Sequence, residues 1–121
     1  MKENIALIRE VHHNLDLRLA EEEAVAMLKK IELEQLADKR QRDCSNLEKF
    51  YVMLIRAVMC DAQKILIRLP FSIIDSIVDP NELLDNIKKL EVQKEFIFLD
   101  TIANKSHYDK ISDQKVVIDA L

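Results

Sequence analysis

From Ser45 to Pro70 the chain offers very little polar surface. Leu47, Tyr51, Leu54, Val58, Ala62, Ile65 and Leu69 recur at spacings of three and four, which places them on one face of a helix. Val52, Ile55, Met59 and Leu66 form a second face beside it. The stretch carries its own punctuation. The Ser45 hydroxyl is placed to accept from the backbone N–H three residues on, and Glu48 to accept from the Ser45 N–H. Pro70 lacks a donor and drives Leu69 out of the helical region. A helix that is apolar around most of its circumference is a buried helix. At ~1.5 Å per residue this one would be about 36 Å long, longer than a small compact domain is wide. The expected fold is therefore all-α. It is an elongated up-and-down bundle of four to five helices around a central helix at residues 45–69, in a single domain spanning 1–121. A buried strand over Ile65–Phe71 is the alternative, because a short apolar run does not reveal its period.

The chain contains no glycine. That removes the P-loop and the dinucleotide fingerprint, the nucleophile elbow and the kinase loop, and the G-x-x-G clamp on RNA. It also disfavours hairpin-rich β folds, whose tight turns want glycine. Helices must end on Asn or Asp, or on tightened last turns, in place of a glycine cap. Apolar residues make up 49% of the chain. Average proteins reach about that share only with glycine counted, so some of this apolar load is expected to face a partner. Arg56, Asp61, Lys64 and Arg68 interrupt the central stretch, which argues against a membrane span. The first residues are charged and amphipathic rather than leader-like, so a reducing, cytoplasmic setting is expected. Cys44 and Cys60, on one continuous helix, would lie roughly 24 Å apart, too far for a disulfide.

Other elements follow from local signals. Residues 3–13 read as a helix with Ile5, Ile8, Val11 and Leu15 on one side. Residues 14–19 read equally well as a break restarted by Asp16 or as continuous helix. A strong helix is expected over 20–39, with Ala20, Ala24, Leu28 and Ile31 inward, followed by a charged connector from Asp38 to Asp43. A short apolar helix is expected over 71–78. Asp79, Pro80 and Glu82 then mark a helix start. That helix is expected to reach about Asn104, with Leu83, Ile87, Leu90 and Ile97 on one seam. Ser112 would cap a last short helix through Val116, Val117 and Ile118, with a strand as the alternative.

Chemistry-bearing residues are sparse. Glu10 and His13 have the Glu-x-x-His spacing of di-metal carboxylate bundles, but His107 has Asn104 three residues before it, so the second half is missing. His12 with Asp16 is the simpler metal alternative. Ser106, His107 and Asp109 carry triad residue types, but triad members meet from separate elements, not as near neighbours in sequence. Asp61 is the one carboxylate flanked by apolar neighbours, and Lys64 is its expected ion-pair partner. Cys44 sits beside Arg42 at the positive end of the central helix, a setting that favours a thiolate. The ordinary reading is an exposed or interface thiol, and Cys60 reads as inert packing. Lys39, Arg40 and Arg42 form a small basic cluster without the stripe or stacking aromatics of a nucleic-acid binder. No enzymatic activity, metal or cofactor is expected. The expected role is a non-enzymatic protein–protein interaction module, as an adaptor, an inhibitor or a small subunit of an assembly, using an apolar helix face or groove; the alternatives are a small regulatory protein contacting nucleic acid through the Lys39, Arg40 and Arg42 turn, and then a small metal-dependent enzyme built on Glu10, His12, His13 and Asp16. Its partner would be another protein or a second copy of this chain. Phe71, Phe96, Ile97, Phe98 and Leu99 are the candidate contact residues.

Overall fold

The computed structural model describes residues 1–68, 80–101 and 115–119. Helical elements account for most of the described residues, and a three-stranded parallel sheet accompanies them. The chain divides into two compact units, Met1–Asp61 and Ala62–Leu121. The expected helix over 71–78, the Asp79 cap and the Ser112 cap lie outside the described residues.

The first unit is helical throughout. α1 spans Lys2–His13, α2 spans Leu17–Lys30, and two 3-10 turns, Glu34–Asp38 and Gln41–Asp43, lead to α3 at Asn46–Met59. α1 packs on α2 and α3. The break at 14–16 resolves the ambiguity around Asp16. Asn14 adopts the left-handed conformation at φ 50° and ends α1, with a hydrogen bond from its N–H to the Arg9 carbonyl. Asparagine tolerates this region better than most residues, so it fills the role left vacant by glycine. α2 stops at Lys30, short of the expected 39. Its exit places Glu32 at φ 59°, a position with no such excuse. Ile5, Ala20, Ala24, Leu28 and Ile31 are buried as expected, but Val11, expected to face inward, is 67% exposed.

α3 begins as its sequence requires. Glu48 N–H donates to Ser45 Oγ at 3.1 Å, and Ser45 N–H donates to Glu48 Oε1 at 2.8 Å. Tyr51, Val52, Leu54, Ile55, Val58 and Met59 are all buried. The helix then ends at Met59, ten residues before the expected stop, and Cys60 is extended. This corrects the long central helix.

The second unit corrects the all-α expectation. β1 spans Lys64–Arg68, α4 spans Pro80–Lys89, β2 spans Glu95–Thr101 and β3 spans Lys115–Asp119. β2 lies between β1 and β3, and both pairings are parallel. Parallel strands cannot be joined by a tight turn and need a crossover segment, so a glycine-free chain loses nothing by choosing them. α4 starts at the expected Pro80, and its Leu83, Ile87 and neighbouring Leu90 are buried at helical spacing. It ends at Lys89 rather than near Asn104. The Phe96–Leu99 run is strand, not helix, and its alternation is clear. Ile65, Ile67, Phe96 and Phe98 are buried, while Leu66 is 58% exposed.

Candidate functional site

Two apolar surfaces remain open among the described residues, one in each unit. The first is the outer face of the sheet. Register sets Lys64 beside Glu95, Leu66 beside Ile97, and Arg68 beside Leu99. Strand period two puts these six positions on the face opposite Phe96 and Phe98. Leu66 stands out to solvent, while Ile97 and Leu99 are half-buried. Lys64 Nζ lies 3.9 Å from Glu95 Oε2, and Arg68 is exposed with no ion-pair partner among the described residues. Among the described residues, the surface is thus an apolar patch edged by a guanidinium without an ion-pair partner.

The sequence-predicted contact run therefore splits. Phe96 and Phe98 belong to the core of their unit and Ile97 and Leu99 to its outer face. Leu66, missed by the sequence reading, joins them. Its signal was the Lys64-Ile65-Leu66-Ile67-Arg68 pattern, where charges at both ends share a strand face with the middle residue. Phe71 lies outside the described residues.

The second surface is a groove of ≈ 600 Å³ in the first unit. Glu3, Leu7 and Glu10 of α1 line one side, Leu17 at the start of α2 lies at one end, and Lys39 and Arg40 border it from the connector. The Met1 ammonium donates to the carbonyls of Ala37 at 3.1 Å and Lys39 at 2.6 Å, which seats the connector beside the first turn of α1. Leu7, Val11, Leu17 and Leu19 are all exposed, so apolar exposure concentrates in this α1–α2 region.

Among the remaining candidates, His13, Asp61, Lys39 and Cys44 make contacts within the fold. His13 Nε2 lies 2.7 Å from Asp61 Oδ1, not in a metal site with Glu10. Asp61 is an exposed carboxylate paired with histidine, where lysine was expected, and Lys64 turns to Glu95 instead. His12 and Asp16 are exposed. Among the described residues no cluster of three or more metal-ligating side chains occurs. Asn104 and the Ser106–Asp109 run, with His107, lie outside the described residues. Lys39 Nζ reaches Glu48 Oε2 at 3.2 Å, leaving Arg40 and Arg42 as the exposed members of the basic cluster. The Glu48 carboxyl is held below its ordinary pKa, first by the Ser45 N–H hydrogen bond and further by Lys39, with burial opposing. Cys44 is buried rather than exposed, and its Sγ donates to the Arg40 carbonyl at 3.4 Å. Among the described residues no helix is long and apolar enough to cross a membrane. Comparison with known protein families, with curated proteins and with solved structures found no match to this chain.

Proposed function

We propose that this chain is a non-enzymatic interaction module whose sheet receives an amphipathic helix from another protein. The observation that carries the reading is Leu66, 58% exposed between two cations on the open face of a parallel sheet. Parallel sheets are ordinarily covered on both faces by helices. Here one face is packed on Phe96 and Phe98 and the other presents Leu66, Ile97 and Leu99. A partner helix would lay an apolar ridge along those three residues, the mode by which helices fill apolar grooves. Its flank would carry a carboxylate opposite Arg68, since that guanidinium has no internal partner among the described residues. An adaptor or inhibitor role fits such a surface, as does a small subunit of an assembly.

The test is a photo-cross-linking residue in place of Leu66. The captured protein is identified, and its cross-linked segment is synthesised and titrated against the whole chain. The reading expects a helical segment with an apolar stripe and an acidic flank. Leu66→Asp should abolish its binding, and Arg68→Glu should weaken it about tenfold, the scale of ~1.4 kcal/mol. Equal binding by Leu66→Asp, or a captured segment without an apolar stripe, would overturn the reading.

A further inference from the structure

We propose that two copies of this chain associate, antiparallel, through the α1 groove of the first unit. The surface uses residues of the first unit alone.

Three observations lead there. The first is the exposed apolar row on α1. Leu7 and Val11 are one helical turn apart on the same side, 48% and 67% exposed, and Leu17 lies at the adjoining end of the groove. A small unit that exposes four large apolar side chains in its first nineteen positions has a surface built for contact rather than for water.

The second is the separation of charge along the groove. Lys39 is held against the first turn of α1 through its carbonyl, so Lys39 and Arg40 sit at the N-terminal end. Glu10 stands two turns beyond Glu3, roughly 10 Å further along the helix. Leu7 lies between the charged ends. Glu10 and Arg40 have no side-chain ion-pair partner among the described residues, whereas Lys39 is engaged by Glu48 and Glu3 lies 3.9 Å from the Met1 ammonium.

The third is what symmetry does with such a patch. A two-fold interface brings one surface against itself. A two-fold axis lying across the groove, perpendicular to the line from Glu10 to Arg40, reverses one copy end for end. Arg40 of each copy then faces Glu10 of its partner, and the Leu7 side chains meet in the middle. A groove whose apolar centre lies between Glu10 and Arg40, each without a side-chain ion-pair partner among the described residues, is complementary to its own reverse in those groups. A generic partner gives no reason for that pairing. The contact is small, so the association should be reversible and concentration-dependent.

Sedimentation of the untagged full chain over a micromolar to millimolar series tests this, with circular dichroism confirming the fold of each variant. The wild-type chain is expected to shift from monomer to dimer. Leu7→Asp should leave a monomer. Glu10→Lys and Arg40→Glu should each weaken the dimer about tenfold, and the double variant should recover to within about threefold of wild type, because the swap rebuilds the same pairs with signs exchanged. Leu66→Asp should dimerise normally, which separates this interface from the proposed sheet-face partner. A strict monomer throughout the series, or a double swap no tighter than its single variants, would overturn the proposal.

Discussion

α3 and β1 are neighbours in sequence and both largely apolar, yet they hold their shapes for different reasons. α3 is specified from within. Ser45 and Glu48 close its first turn, its apolar residues recur at helical spacing, and only Met53 among its large apolar residues is exposed. β1 has no comparable local device. Ile65 and Ile67 are buried and Leu66 is not, a period of two that becomes meaningful only beside Phe96 and Phe98 some thirty residues later. Helices draw on contacts within a turn, whereas strands depend on partners whose loop must first be closed. One apolar run can therefore change periodicity part-way along when a partner strand exists elsewhere in the chain.

The sharpest attack on this contrast removes the distant partner. Phe98→Ala should destabilise the chain by about 3–5 kcal/mol, the usual loss for a fully buried phenylalanine. In hydrogen exchange, the amides of β1 should lose protection before those of α3. Equal loss in both elements would mean that β1 does not depend on β2 in the way the register implies. Removing the local device tests the other side. Ser45→Ala should cost about 0.5–2 kcal/mol in urea unfolding, with the loss of exchange protection centred on the first turn of α3.

The glycine-free turns offer a gain instead of a loss. Glu32 and Glu91 hold φ of 59° and 56° just beyond α2 and α4. The left-handed region costs a side-chain-bearing residue roughly 1–2 kcal/mol, partly offset by the greater unfolded-state entropy of glycine. Glu32→Gly should thus raise stability by about 0.5–1 kcal/mol, read as a higher urea midpoint. Unchanged or reduced stability would show that the Glu32 side chain makes up for the strain.

Acid titration addresses the cap more gently. The folded pKa of Glu48 is depressed below 4.5, so its contribution is fully present above that value and is lost as pH falls through the folded pKa. Glu48→Gln keeps an acceptor at the cap and should flatten this part of the acid dependence; an unchanged acid limb would assign it to other carboxylates. The smallest effect belongs to the open sheet face. Leu66→Ser should alter stability by less than about 0.5 kcal/mol while Phe98→Ala on the opposite face is severe. A large cost at Leu66 would show that this face is more deeply packed than its exposure indicates.

Local chemistry by itself determined the beginnings of elements. The Ser45–Glu48 cap and the Pro80 start could both be read from a few adjacent residues, because each depends on hydrogen bonds or φ preferences within one turn, whereas the sequence left open whether the chain breaks at 14–19. The buried stripes of α2, α3 and α4 were legible for the same reason. Tertiary structure decided the endings and the open surfaces. Nothing between Cys60 and Gln63 forbids another helical turn; α3 stops at Met59 and, after a short extended link, Ile65 and Ile67 find a ladder on β2. That ladder also divides Phe96-Ile97-Phe98-Leu99 between a core face and an outer one, a division that no stretch of adjacent residues announces. The exposure of Val11 likewise depends on which helices pack against α1. Burial is a property of neighbours brought together across the chain, and no window of adjacent residues contains them.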